Sequence, residues 1–320
     1  MAESTELARC PASAYFRAMK TLLRRLALGA GALIALVIVA ACAVYFLSER
    51  RVARRYVLAD ESIPIPTDSI SIARGRHLAH AIAKCTDCHT LSLAGQVFVD
   101  DPALGRFVPL NLTRGKGGLG ATLKDADWVR AIRHGVGHDG RPLRIMPSLE
   151  YNNFSVEDIG AIVAYAKSVP PVDNELPVST LGPVGRVLLV SNKMPLFSAE
   201  QIDHSAHAVP LAPPIGPTVE YGKYLAHTAG CAGCHNPGFS GGPIDVGPPS
   251  WPPAANLTPT GMKAYDEASF MTALRTGVRP GGTKIKDPMP IAWTKDMTDD
   301  EIKAVWAYLK TVPPREFGAR

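Results

Sequence analysis

A five-residue pattern, Cys-x-x-Cys-His, occurs twice in this chain of 320 residues and constrains its fold more than any other feature. The first copy is CTDCH at 85–89 and the second is CAGCH at 231–235. Chance placement of 6 cysteines and 9 histidines would rarely produce the pattern even once. Two thiols about one helical turn apart, followed directly by a histidine, are typical of covalent attachment of c-type haem.

The two copies belong to a longer internal repeat, the sign of homologous units. Four further segments recur in the same order: GRHLAH and GKYLAH at 75–80 and 222–227, Asn-Leu-Thr at 111–113 and 256–258, Met-Pro at 146–147 and 289–290, and Val-Pro-Pro at 169–171 and 312–314. The repeat predicts one domain at 70–172 and another at 217–320, joined by a connector at 173–216 that contains six prolines. The apolar run at 187–190 is expected to pack against a haem domain.

Each copy is expected to fold as three helices joined by long loops, which makes the fold class all-α. Thr122 is placed to cap the second helix of the first copy and Asp266 that of the second copy. Ser155 is placed to start the last helix of copy one, and Thr298 with Glu301 forms a capping box for that of copy two. Paired prolines end both last helices, because proline lacks a backbone donor. No stretch shows the alternation of a strand.

The segment 26–48 contains 23 uncharged residues between clusters of arginine, long enough to cross a bilayer as one helix. It predicts a transmembrane anchor, with a tail at 1–25 before it and a linker at 49–69 after it. Two alternatives stay open. A cleaved signal peptide normally has a shorter apolar core. A lipoprotein signal would make Cys42 the lipidated first residue, although the apolar run continues beyond it.

The formal net charge of +5 comes from the flanks of this segment. Residues 1–25 carry five basic and two acidic side chains, residues 49–55 carry four and one, and residues 56–320 sum to −1. Nucleic-acid binding would require a basic face on the folded domains. The charge therefore predicts a membrane partner and no nucleic acid.

The two motifs supply most of a haem site in each domain, so two covalently bound haem c groups are expected. The predicted thioether links are Cys85, Cys88, Cys231 and Cys234. The predicted axial ligands of the iron are His89 and Met146 in the first domain and His235 and Met289 in the second. A thioether ligand favours reduced iron and suits electron transfer. Met146 is the one methionine between Cys88 and the connector, and Met289 occupies its repeat position.

Other interpretations of these residues are weaker. Zinc would require further Cys or His ligands at each site. His134 and His138 could ligate the first iron, but the second copy has no histidine at either position. Three methionines of the second copy have no methionine counterpart in the first and are expected to be core or surface residues: Met262, Met271 and Met297. Three histidines lie on the helices that enter the motifs and are expected to be packed or solvated: His77, His80 and His227.

Asn111 and Asn256 each begin an Asn-Leu-Thr segment that matches the glycosylation sequon. Their place in the repeat predicts an internal role instead, such as hydrogen bonding near the haem propionates. Each proximal histidine is also expected to donate its Nδ1–H to an acceptor in the loop that follows its motif.

Taken in order, these motifs resemble the class I cytochrome c domains in multihaem cytochrome subunits of bacterial membrane dehydrogenases for alcohols and gluconate. The resemblance covers 70–171 and 218–315. It implies an all-helical fold around each haem, His/Met ligation and electron relay on the periplasmic side of the inner membrane. Those subunits usually carry a third haem domain and a different anchor, so the identity of a dehydrogenase partner does not follow from it.

The expected function is a membrane-anchored dihaem cytochrome that relays electrons and is not itself an enzyme. Bacteria attach haem c on the outer side of the cytoplasmic membrane, which places residues 1–25 in the cytoplasm and the haem domains in the periplasm. The expected partners are redox proteins: a membrane dehydrogenase, a quinol-oxidising complex or a terminal oxidase. The alternative is a dihaem peroxidase, which would require one iron with a vacant coordination position.

Overall fold

The computed structural model describes residues 12–205, 211–244 and 250–319. The chain divides into two compact units, Met1–Arg51 and Val52–Arg320. The first contains most of one long helix, and the second contains both repeat copies and the connector. Within the described residues the structure is mostly helical, as the repeat predicts.

Helix α1 spans Ala12–Val52 and is longer at both ends than the predicted anchor at 26–48. Its flanking arginines are good helix formers, so the helix does not stop where the apolar run ends. Large apolar side chains along it are exposed, such as Leu33 at 62% and Val39 at 65%. The helix is long and apolar enough to cross a membrane. It is therefore the candidate membrane anchor.

The first repeat copy is built from a short series of helices. They are α2 (Ser69–His77), which continues through a π-helical turn at Leu78–Ile82, α3 (Cys85–His89), α4 (Asp125–His134), α5 (Ser148–Tyr151) and α6 (Val156–Ser168). Ser155 caps α6 as predicted, by accepting from the Asp158 amide. The predicted cap at Thr122 is wrong: α4 follows Lys124, and the Thr122 hydroxyl donates to the carbonyl of Leu119 (3.0 Å).

The second copy repeats this order. Its helices are α8 (Val219–Thr228), α9 (Cys231–His235), α10 (Glu267–Thr276), α11 (Ile291–Thr294) and α12 (Asp299–Leu309). Asp266 caps α10 and Thr298 forms a capping box with Glu301, both as predicted. Gly135 and Gly277 end α4 and α10 in the left-handed conformation that glycine adopts without strain.

A small antiparallel sheet departs from the expectation of a strand-free chain. It joins β1 (Val99–Asp101), β2 (Gly105–Phe107) and β3 (Thr180–Leu181) in that order. The connector supplies β3 and also α7 (Pro183–Val190). Leu189 of α7 is fully buried in a cluster with Phe107 of the first domain, so the predicted packing of this apolar run is confirmed.

The linker and a shared hydrophobic core hold the two repeat copies together. The linker runs along the first domain, where the Tyr56 amide donates to the carbonyl of Gly140 (2.9 Å). One hydrophobic core cluster contains side chains from both copies, including Phe154 and Tyr221, each fully buried. The two haem domains therefore share a core instead of standing apart on the connector.

Candidate haem-binding sites

Each Cys-x-x-Cys-His motif forms one short helix, α3 or α9, entered through a residue in the left-handed conformation. The four motif cysteines are free thiols despite their close spacing. Burial raises the pKa of the Cys85 thiol to about 11 and that of Cys88 to about 12. Both motifs thus present two unpaired thiols on one turn of helix, as attachment to a single porphyrin requires.

The two motif histidines are held in the same way. His89 Nδ1 lies 2.9 Å from the carbonyl of Leu110, and His235 Nδ1 lies 2.7 Å from that of Ala255. A carbonyl can only accept, so each Nδ1 carries the proton and each Nε2 is left with its lone pair. The predicted acceptor in the following loop is confirmed in both domains. This is the tautomer that a histidine needs to bind iron through Nε2.

The two Met-Pro segments also share one geometry. Pro147 and Pro290 have φ, ψ values of −81°, 53° and −83°, 61°, and each opens a short helix. Met146 and Met289 are partly buried and pack against the shared core. The Ser148 amide donates to the Met146 carbonyl (2.8 Å), as that of Ile291 does to the Met289 carbonyl (2.9 Å). Their ligation of iron stays a prediction.

The donor set fits haem c. Two thiols, a histidine with a free Nε2 and a partly buried methionine occur once in each domain. In the first domain Trp128 is 4% exposed, and its indole N–H has no partner among residues 12–205, 211–244 and 250–319. A bound cofactor with polar edges would satisfy such a group. The second domain has Phe270 at this repeat position, which has no donor to satisfy.

His134, one of the two alternative ligands for the first iron, contacts residues outside the first repeat copy. His134 Nδ1 lies 3.1 Å from His204 Nδ1, and its Nε2 lies 3.8 Å from Glu61. Burial, followed by the charges of His204 and nearby arginines, lowers the pKa of His134 to about 4. His138 is exposed. His134 is thus engaged with the linker and the connector.

Asn111 and Asn256 perform the same structural task in each domain. The Asn111 amide donates to the carbonyl of Val172 (2.8 Å), and the Asn256 amide donates to that of Arg315 (2.8 Å). Each side-chain oxygen accepts from the threonine two residues later. Both asparagines tie the loop after the motif to the chain that leaves the last helix. The predicted propionate contacts stay predictions beside this role.

The two domains are joined by a set of hydrogen bonds to buried carboxylates, which the sequence did not predict. Asp158 on α6 accepts from Arg74 (2.6 and 2.9 Å) and from the Tyr224 hydroxyl of the second domain (2.7 Å). Glu301 on α12 accepts from His77 Nε2 of the first domain (2.9 Å to each oxygen). The two carboxylates share a repeat position, and so do His77 and Tyr224. The domains therefore contact each other reciprocally, as in a two-fold dimer.

A second set of contacts between the domains lies beside the attachment helices. Lys84, directly before α3, donates to the carbonyl of Ala229, two residues before α9 (2.6 Å). On the other side, Trp293 of α11 donates from Nε1 to the Thr86 hydroxyl within α3 (3.3 Å). The two haem attachment sites thus adjoin across the domain interface.

Comparison with known families matches each copy separately. Residues 219–313 match the family described as cytochrome c. Residues 71–165 match the family described as cytochrome c oxidase, cbb3-type, subunit III. The matched segments coincide with the two helical repeat copies.

Similar proteins are named as subunits of dehydrogenases. The cytochrome c subunit of a quinone-dependent alcohol dehydrogenase from Gluconacetobacter polyoxogenes is 30% identical over 283 residues, covering 77% of this chain and 57% of that protein. The fructose dehydrogenase cytochrome subunit of Gluconobacter japonicus is 29% identical over 143 residues, covering 42% of this chain and 28% of that protein. The gluconate 2-dehydrogenase cytochrome c subunit of Pantoea cypripedii is 33% identical over 99 residues, covering 28% of this chain and 22% of that protein. The chain spans little more than half the length of the alcohol dehydrogenase subunit.

Proposed function

Because this chain is a tandem of two cytochrome c domains that each hold one covalent haem c, we propose that it is the electron-relay subunit of a membrane dehydrogenase. In this role it receives electrons from a catalytic partner at one haem and passes them through the other. The haems supply the one-electron chemistry when bound. The chain's own residues attach them, ligate them and hold them next to each other.

One observation carries this proposal: a hydrogen bond joins the chain just before one attachment helix to the chain just before the other. Lys84 beside α3 donates to Ala229 beside α9, and the hydrogen bonds of Asp158 and Glu301 fix the domains on either side of that contact. Electron transfer between two haems requires them to stay close and in a fixed orientation. A shared core and reciprocal polar contacts provide that constraint, whereas two independent domains on a flexible connector would not.

The dehydrogenase partner is supported by three of the relatives, whose names assign them to alcohol, fructose and gluconate dehydrogenases. They share two chemical features: each is a cytochrome subunit, and each serves an enzyme that oxidises a hydroxyl compound. We infer that this chain accepts electrons from the oxidation of an alcohol or a sugar derivative. A terminal oxidase is the second candidate partner, favoured by the match of the first domain to an oxidase subunit family.

The proposed location is the bacterial inner membrane, with both haem domains in the periplasm, where haem c is attached. The length of the apolar run within α1 supports an uncleaved anchor, because a cleaved signal peptide normally has a shorter apolar core. Basic residues lie on both sides of the apolar run, so the positive-inside rule decides little here. Protease treatment of intact spheroplasts should remove both haem domains and spare residues before the span.

The test is purification of the full chain from membranes in mild detergent, followed by addition of ethanol, gluconate or fructose. We expect a dehydrogenase subunit to co-purify and at least one of these substrates to reduce both haems. The double variant Cys231→Ser/Cys234→Ser is the matched control, since it lacks the second attachment site and should halve the haem content. Co-purification of an oxidase alone would support the second partner. Rapid peroxide turnover by the pure chain would support the peroxidase and contradict the relay.

A further inference from the structure

Lys84 occupies a backbone position that suits glycine better than lysine. Its φ is 54°, in the left-handed region that residues with a Cβ seldom adopt. The equivalent position before the second motif is Gly230, with φ 71°. The two domains therefore need the same turn into the attachment helix. Only the second uses the residue that forms this turn without strain.

The side chain of Lys84 supplies a reason for lysine at this position. Its Nζ donates to the carbonyl of Ile82 (2.9 Å) in its own domain and to that of Ala229 (2.6 Å) in the other. Burial lowers the pKa of Lys84, and the nearby Glu150 carboxylate opposes this effect. The Lys84 ammonium group therefore lies between the chain segments that precede the two attachment helices.

Glu150 is an acidic residue of the same junction: burial raises its pKa, and the charge of Lys84 opposes that effect. It belongs to α5, four residues after Met146, and extends toward the second domain, where its side chain packs on Gly230 and Gly233. A Cβ at Gly233 would lie 3.1 Å from the Glu150 carboxylate oxygen, and one at Gly230 would lie 3.1 Å from its Cγ. The positions that correspond to Lys84 and Glu150 in the second domain hold Gly230 and Trp293. Lys84 and Glu150 thus both belong to the first domain and have no charged counterpart in the second.

We propose that Lys84 is a positioning residue shared by the two haems, which ties the attachment helices together and raises both reduction potentials. A nearby positive charge favours the reduced iron, because reduction lowers the charge of the haem. Net charge around the cofactor is among the properties by which a protein sets a reduction potential. Glu150 acts with the opposite sign at the same junction. The inference rests on the two attached haems and not on the identity of the redox partner.

The experiment is a spectroelectrochemical titration at pH 8 of the purified full chain, with haem content measured in parallel. Lys84→Met keeps the length of the side chain and removes its charge, so both midpoint potentials should fall while two haems per chain are retained. Lys84→Arg should keep both potentials near those of the wild type. Lys193→Met, which removes an exposed lysine of the connector, is the control and should shift neither potential. Unchanged potentials in Lys84→Met, or a shift confined to one haem, would overturn the proposal.

Glu150→Gln provides an independent test with the opposite sign. Removal of the anion should raise both potentials, and it involves no change at the strained turn before α3. This variant decides the question if Lys84→Met fails to mature into a dihaem protein. Potentials that stay unchanged or fall in Glu150→Gln would show that charge at the junction does not govern the haems. Neither measurement involves the dehydrogenase. The proposed function can therefore fail while this inference stands, and this inference can fail while the proposed function stands.

Discussion

The two cytochrome c domains are alike around their attachment motifs and different in the side chains by which they contact each other. His89 and His235 donate to backbone carbonyls at the same repeat position, and Asn111 and Asn256 make the same tie to the chain after the last helix. At the interface, by contrast, Asp158 pairs with an arginine and a tyrosine. Its counterpart across the repeat pairs chiefly with a histidine.

This difference separates two requirements on a repeated domain. Haem attachment and ligation impose the same geometry on both copies, so the same residue types recur at the same positions. The contact between the copies needs only complementary partners, so each side can use a different donor for an equivalent buried carboxylate. Equivalent positions of the two domains therefore meet reciprocally, as in a two-fold dimer, but the side chains at those positions differ, as in a heterodimer.

The largest expected effect tests the similarity between the domains, through Met146→Ala and Met289→Ala. Each substitution should open one haem to imidazole or carbon monoxide and lower the potential of that haem, because a thioether ligand favours reduced iron. We expect a fall on the order of 0.1 V, within the ~0.8 V range that axial ligands control. Optical titration of each variant with imidazole, together with redox titration, measures both effects.

Met271→Ala is the matched control for these variants. Met271 lies on α10, is partly buried against the same core and has no methionine counterpart in the first domain. Its loss should leave both haems low-spin and closed to ligands. A Met146→Ala chain with an unchanged spectrum and potential would show that the assignment of the sixth ligand in the first domain is wrong.

The next effect tests the difference between the two interface carboxylates. Asp158→Ala should destabilise the domain pair by about 3 kcal/mol, because it leaves the Arg74 guanidinium without its counterion in a largely buried site. Glu301→Ala should cost about 2 kcal/mol, since its main partner is a histidine. Chemical denaturation of the full chain in detergent, followed by the Soret band, gives the two values. Equal costs would mean that the permanent charge of Arg74 adds nothing to the interface.

Local patterns in the sequence accounted for the repeat, the attachment motifs and most helix starts. Ser155, Asp266 and Thr298 cap the helices assigned to them, because capping depends on residues within one turn of the cap. The prediction failed at Thr122, where Lys124 and Asp127 form the helix start instead. That start uses the Asp127 carboxylate and not the hydroxyl earlier in the chain.

Contacts between distant parts of the chain could not be predicted in this way. The pairing of Arg106 with Thr180 in the small sheet joins strands of only two or three residues, too short to show alternation. The contact between His77 and Glu301 joins residues on different domains. The repeat alignment held one usable signal: a carboxylate at the same position in both last helices, directly before the apolar residues Ile159 and Ile302. A carboxylate that is buried with its apolar neighbours needs a partner.

The smallest expected effect is the pH dependence of the weaker interface contact. Glu301 is 3% exposed, and although burial opposes it, hydrogen bonds from His77 and the Thr298 amide lower its pKa below the usual 4.5. A carboxylate with a lowered pKa in the folded state stabilises that state fully above its unfolded pKa. The contribution disappears as the pH falls through the folded pKa. Glu301→Gln removes this contribution at every pH.

The unfolding free energy of the wild type should therefore exceed that of Glu301→Gln most at neutral pH, and the difference should shrink as the pH falls below about 4.5. Denaturation at pH 7 and at pH 4, with the same detergent and salt, measures it. Glu267→Gln, at an exposed glutamate of the same domain, controls for the general effect of acid and of losing a carboxylate. A difference that does not change with pH would mean that Glu301 acts through packing and not through its charge. The two sides of the interface would then differ in geometry alone.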